Sequence, residues 1–370
     1  MQIFENGNEI LQPLLDRSGT VDITEPGVYM VGKPLIIGSD TVLHLRAGVT
    51  VKAKDMSRCS LLENGSFTQN TYDRNIEIIG GIWDGNCDRQ GIEPVSFAKD
   101  RNMYAYDPHR FTGKLLRFAH VHGLIIRDAV IRDPVSYGIQ IADTENFAVS
   151  DIHFDYNCHY GLTDGVHING PAAHGMIRRV HGITNDDMVS LTPSDENHAE
   201  VTRGAISDVV IDGVHAENGY TGVRLLSSGD PLTDITVRNV SGTYRHNAVC
   251  LTHHNIHPGE PIWMDHILID GVDASRSPWG LTNDCFTWWE TGAFDGCPMV
   301  WVAEGVRIGT LAIRNVSRQE MTVSQARTVQ IDREAVIDRL TVSALSHHFL
   351  HGKKIPVLSV EGTVKELSEE

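Results

Sequence analysis

One short phrase keeps returning along this chain. Gly123-Leu124-Ile125-Ile126-Arg127 resembles Asp208-Val209-Val210-Ile211-Asp212, Asp234-Ile235-Thr236-Val237-Arg238, His266-Ile267-Leu268-Ile269-Asp270 and Thr310-Leu311-Ala312-Ile313-Arg314. Asn146-Phe147-Ala148-Val149-Ser150 and Gly175-Met176-Ile177-Arg178-Arg179 fit more loosely, so the phrase starts at 123, 146, 175, 208, 234, 266 and 310. Within it, β-branched residues alternate with polar ones, the period-2 mark of a half-buried strand. A second phrase often follows and ends in Gly-Val or Asn-Val: Asp212-Gly213-Val214, Arg238-Asn239-Val240, Asp270-Gly271-Val272 and Arg314-Asn315-Val316. Asn, Asp and Gly at those places suit tight corners between strands.

A fixed strand phrase separated by insertions of changing length is how a solenoid reads: the rungs are constrained and the loops are free. The expected fold class is therefore all-β, a single-stranded right-handed parallel β-helix built as one domain over residues 1–370. A β-sandwich would instead need repeated two-residue hairpin signals. Residues 1–60 read as a lead-in, with strands at Thr41-Val42-Leu43-His44-Leu45 and Thr50-Val51-Lys52-Ala53 around Ala47-Gly48. Residues 87–113 break the rhythm and carry Tyr104, Tyr106 and His109, the mark of a functional loop or lid. The polar tail over 350–370 reads as a cap on the stack. No long amphipathic helix is evident.

Charge narrows the partners. A formal net charge of −17 over 370 residues, with no basic stripe, argues against nucleic acid. It also disfavours a long polyanion, which would be repelled at distance, but leaves room for a short charged oligosaccharide held by local cations. No apolar stretch is long enough to span a membrane. The N-terminal residues lack the basic and apolar regions of a secretion signal, so the expected location is cytoplasmic. Six cysteines are scattered without a Cys-x-x-Cys pair, which suits free thiols in a reducing compartment and neither a metal nor a disulfide framework.

The candidate chemistry lies in two acidic phrases. Leu162-Thr163-Asp164-Gly165 and Asn185-Asp186-Asp187 stand 22 residues apart from Asp164 to Asp186, about one coil. Stacked rungs lie about 4.8 Å apart, so three carboxylates distant in sequence could share one patch of surface. Asp is also a common turn former at solenoid corners, and neighbours on a regular strand point to opposite faces. Asp186 and Asp187 can both reach a cleft only if the chain bulges or bends there. Three carboxylates at close range cannot all ionise cheaply, so one should keep its proton near neutral pH.

These phrases resemble those of glycoside hydrolase family 28, the polygalacturonases and rhamnogalacturonan hydrolases. Leu162-Thr163-Asp164-Gly165 is similar to the family's Asn-Thr-Asp-Gly motif, Asn185-Asp186-Asp187 to its Asp-Asp motif, and Val223-Arg224-Leu225 stands where the family has Arg-Ile-Lys. Gly80-Gly81-Ile82-Trp83-Asp84-Gly85 resembles its first full rungs, and the likeness spans residues 30–345. The resemblance implies that Asp186 is the general acid, that Asp164 and Asp187 hold and activate the water, and that the anomeric configuration inverts without a metal or cofactor. Two departures stand out. The Gly-His-Gly motif is missing, and the 38 residues from Asp186 to Arg224 are one rung too few to carry it. The motif's Asn is Leu162 here and its Lys is Leu226.

The other site candidates are substrate contacts. Arg224 could anchor a sugar carboxylate through a bidentate fork. His167, three residues after Asp164 where the family often has a further acid, could line the cleft or bond to Asp164. His253 and His254, with His257, could serve sugar hydroxyls; three histidines in one loop without a paired carboxylate are poor metal ligands. Trp288 and Trp289, with Trp279 and Phe286, could stack on sugar faces or within a core, and Tyr104 could close the cleft. A cleft blocked at both ends would make the enzyme exo-acting on short, pectin-like oligosaccharides. The alternatives are another β-helix carbohydrate enzyme (a polysaccharide lyase, a uronate epimerase or a fructan-processing enzyme) or a non-catalytic sugar-binding helix.

Overall fold

The computed structural model describes residues 1–69, 71–92, 113–194, 201–253, 263–277, 297–322, 327–351 and 355–369. Among them the chain is a right-handed parallel β-helix, and every strand pairing is parallel. The recurring phrase forms one face of each coil. Leu124 pairs with Phe147, Phe147 with Gly175, Gly175 with Val209, Val209 with Ile235, Ile235 with Ile267 and Ile267 with Leu311. These positions point inward and stack into the core.

The register shows that the equivalent of Asn146 is His174, not Gly175, so the third repeat starts one residue earlier than its sequence suggests. The cause is packing. The Phe147 ring fills the space of the next rung, and a Cβ on Gly175 would lie 2.1 Å from Phe147 Cζ. A glycine thus stands where the pattern asks for a branched residue.

The corner before this face is left-handed: Asp40, Asn75, Asn146, His174, Asp208, Asp234 and His266 all have φ between 51° and 57°. The Gly-Val and Asn-Val phrases form a second such column, through Asp151, Arg179, Gly213, Asn239, Gly271, Asn315 and Ala344. Asp, Asn and glycine predominate there because they enter that region most cheaply; His174, His266, Arg179 and Ala344 are the exceptions.

Both ends of the stack are protected. Helix Gly7–Leu15 buries Leu11 and Leu15 against the first coils. It is short and carries Pro13 inside it, which hides it from a periodicity search. The last strand, Thr363–Glu369, pairs on one side with Val336–His351 and carries Lys365, Glu366 and Glu369, charges that blunt an open edge. Cys59, Cys87 and Cys250 carry free thiols.

Candidate active site

The face that bears the acids is built from short strands. Val166 pairs with Val189, Val189 with Val223, Val223 with Val249 and Val249 with Val300, all buried. The residue after each valine points outward, so one file runs Arg117, Gln140, His167, Ser190, Arg224, Cys250, Trp301 along the helix. The strand Asp187–Ser194 pairs directly with Thr221–Ser227. Arg224 therefore stands on the rung next to the Asp pair, and no rung lies between them to carry a Gly-His-Gly motif.

Asp164 and Asp186 both precede a strand of this face. Their turns are stacked: the Gly165 amide donates to the Asp187 carbonyl at 2.9 Å. A Cβ on Gly165 would lie 2.5 Å from the Met188 carbonyl oxygen, so the glycine lets the two turns approach. The parity problem is solved by a bend. Asp187 opens its strand while Asp186 lies in the bend before it, where the Thr184 hydroxyl donates to the Asp186 carbonyl at 2.8 Å. Asn185 fastens this bend to its neighbours: its amide donates to the Tyr160 carbonyl at 2.9 Å and its oxygen accepts from Arg245 Nη2 at 2.8 Å. Leu162 has φ +56°, a left-handed conformation that the Asn of the family motif adopts more cheaply.

The three acids converge. One carboxylate oxygen from each of Asp164, Asp186 and Asp187 lies within 4.8 Å of the others, and the residues are 3%, 8% and 4% exposed. The Asp187 amide donates to Asp164 Oδ1 at 3.2 Å and to Asp186 Oδ1 at 3.1 Å. Two of the acids have a basic partner. Arg224 Nε lies 2.8 Å from Asp187 Oδ2, and His167 Nδ1 lies 2.6 Å from Asp164 Oδ2. Asp186 has no such partner among the described residues. Burial first, then the carboxylates of Asp187 and Asp164, push its pKa well above the usual carboxylate range. Burial works against the charge of Arg224, but the acidic groups around it, Asp187 foremost, together outweigh this and keep the guanidinium firmly protonated.

A cluster of oxygens this close could accept a cation by distance alone. The donor set fits a metal poorly, since Asp187 is already committed to Arg224 and Asp164 to His167.

The remaining candidates separate. Arg224 spends its charge on Asp187, so it is not a free anchor for substrate. His167 is 2% exposed and has both ring nitrogens engaged, which places it against Asp164 and not on the wall of the cleft. His253 Nε2 lies 2.6 Å from the Glu304 carbonyl oxygen, on the rung after Arg224. His254, Trp288, Trp289 and Tyr104, with His257, Trp279, Phe286 and Tyr106, lie outside the described residues.

Sequence reasoning missed an aromatic wall. Tyr220 stacks on His246 with centroids 4.9 Å apart, and Trp301 meets His246 edge-on at 5.9 Å. Burial, then the cations of Arg224 and Arg245, hold the His246 pKa down at about 3, so this ring is neutral. It also missed Tyr137, stacked 4.2 Å from His167, and Thr192, whose hydroxyl meets His167 Nε2 at 2.8 Å. Only rung register brings these residues together.

The sequence matches no protein-family model, and no curated protein is significantly similar to it. Solved structures do resemble the fold. The endo-xylogalacturonan hydrolase of Aspergillus tubingensis is 15% identical with a TM-score of 0.61, over 98% of this chain and 88% of that one. The family 28 exopolygalacturonase of Yersinia enterocolitica is 13% identical with a TM-score of 0.53, over 100% and 78%. A tailspike protein of E. coli bacteriophage HK620, in complex with a pentasaccharide, is 10% identical with a TM-score of 0.61, over 98% and 64%. At these identities the likeness establishes the architecture, a parallel β-helix of the kind those carbohydrate-active proteins share.

Proposed function

We propose that this chain is a glycoside hydrolase, related to family 28, that cleaves pectin-like oligosaccharides by acid and base catalysis with inversion. The observation that carries the reading is the unequal surroundings of three converging carboxylates: Asp164 and Asp187 each face a basic side chain, and Asp186 does not. Paired acids pushed toward different protonation states are what hydrolysis of a glycosidic bond requires.

In this reading Asp186 gives its proton to the glycosidic oxygen as the bond to the anomeric carbon breaks, and the bonding electrons leave with that oxygen. Water attacks the anomeric carbon from the opposite side and loses its proton to Asp164 or Asp187. Solvent exchange then restores the proton on Asp186. The closest oxygens, within 4.8 Å, are nearer together than the roughly 6.5–9.5 Å usual for inverting pairs. Inversion is favoured instead by chemistry: the ion pair to Arg224 and the bond to His167 weaken both carboxylates as nucleophiles, and suit them to hold water. Trp301, the partly exposed member of the aromatic group, offers its indole to sugar C–H bonds, with the buried Tyr220 and His246 packed behind it.

Incubation with pectic oligosaccharides, followed by NMR of the first-formed anomer, tests the reading. Expected are hydrolysis, an inverted product, and loss of activity in Asp186→Asn. A retained anomer would exclude the water-holding role, and an unsaturated product would make the chain a lyase. Exo action predicts faster cleavage of a disaccharide or trisaccharide than of the polymer; a preference for the polymer would refute it.

A further inference from the structure

The surroundings of His167 determine where its protons lie. Thr192 Oγ1 is 2.7 Å from the Ile168 carbonyl oxygen. A carbonyl has no proton to give, so the single hydroxyl proton of Thr192 is spent there. The same Oγ1 lies 2.8 Å from His167 Nε2 and must accept from it, so Nε2 carries a proton. Asn169 Nδ2 is more distant from Nε2, at 3.3 Å, and reaches the Thr192 oxygen at 3.4 Å as an alternative acceptor. Asn169 is itself held by Gln140, which donates to its oxygen at 3.0 Å.

With Nε2 protonated, the 2.6 Å contact between Nδ1 and Asp164 Oδ2 needs one further proton between them. The surroundings favour the charged forms of both partners. The Asp187 amide donates to the other oxygen of Asp164, and the face of Tyr137 covers the imidazole at 4.2 Å with an angle of 12° between the rings. Among the described residues, the charged and titratable groups around the ring are Asp164, the Tyr137 phenol with Lys114 over that ring at 4.8 Å, and the nearby Asp186, Asp187 and Arg224.

We propose that His167 is a positioning residue that forms an imidazolium–carboxylate pair with Asp164, keeping Asp164 ionised so that Asp186 is the acid left holding the transferable proton. Asp164 is then balanced by His167 and Asp187 by Arg224, while Asp186 stays neutral, and the buried site carries no net charge. An acid at position 167, as in the family resemblance, would instead add a fourth carboxylate. The protonation state stands on geometry alone; its consequence for catalysis rests on the hydrolase reading above.

The test is 15N NMR of the full chain labelled at histidine. The His167 signals are identified by their loss in His167→Gln or, should that variant not fold, by proximity to the Tyr137 ring protons. Both ring nitrogens of His167 are expected to be protonated at pH 7.5, about one unit above the ordinary histidine pKa, and the Nδ1 proton to resonate far downfield. In Asp164→Asn the Nδ1 proton should be lost at the same pH. A neutral His167 ring at pH 7.5 in the unaltered protein overturns the proposal, as does a ring that stays charged in Asp164→Asn. None of these readouts needs a substrate. A charged pair in a chain that hydrolyses no oligosaccharide would therefore leave this inference standing and remove the function instead.

Discussion

Replacing Asp186 with asparagine should make the protein inactive and more stable, and the stability gain should depend on pH. Asp186 is 8% exposed, and its raised pKa means that the folded chain keeps a proton that the unfolded chain releases. The sign follows from linkage. Above the unfolded carboxylate pKa, about 3.9, the folded state binds more protons than the unfolded state, so stability falls as pH rises until the folded pKa is passed. The slope is about 1.4 kcal/mol per pH unit across that window. Asparagine is nearly isosteric, cannot ionise, and can still accept from the Asp187 amide through its oxygen. Its amide can also donate to the neighbouring carboxylates.

For a chain of 370 residues unfolding as one unit, the unfolding entropy is roughly 0.8 kcal/mol per kelvin. Each pH unit in the window is then worth about 2 °C in Tm. Calorimetry of both proteins at pH 4, 5.5 and 7 should show similar Tm values at pH 4 and a widening advantage for Asp186→Asn above it. Hydrolysis should fall by about 10²–10⁴-fold, the usual contribution of a general acid. A variant less stable than the parent at pH 7, or a Tm difference that ignores pH, would refute the protonated, buried acid.

Three further outcomes follow from particular contacts. Arg224→Met leaves Asp187 beside two other acids without its cation and should cost about 3–5 kcal/mol in denaturant unfolding at pH 7, with Arg224→Lys recovering part; a loss below about 1 kcal/mol would show the pair to be idle. Gly175→Ala places a Cβ 2.1 Å from the Phe147 ring and should cost about 1–3 kcal/mol, with Phe147→Leu in the same chain recovering some of it. Ala344 is exposed at φ +50° in a corner column otherwise rich in Gly and Asn, so Ala344→Gly should stabilise by about 1 kcal/mol; destabilisation would mean that the corner is not strained.

The rungs were legible because their pattern is set locally: alternation makes the strand, and Asn, Asp or Gly makes the left-handed corner. The one repeat read out of register failed because Phe147 reaches into the next coil and empties position 175, which a single rung cannot reveal. The acids were legible as a spacing of one coil. Their partners were not. Thr192 meets His167 only because Asn169 and Thr192 share a rung position, and Tyr137 reaches the same imidazole from the coil before it. The pairing of Arg224 with Asp187 was hidden for the same reason, since the distance between them depends on how many coils separate them and not on either residue.

That dependence makes rung number a variable of the chemistry. Arg224 neutralises Asp187 across a single step of the stack. One additional coil between Ser190 and Arg224 would carry the guanidinium about 4.8 Å further along the axis, out of ion-pair reach, with every side chain of the site unchanged. Deleting or duplicating a coil is therefore a mutation that no residue-by-residue comparison registers, yet it would decide whether this arginine pairs with Asp187 or stands apart from it.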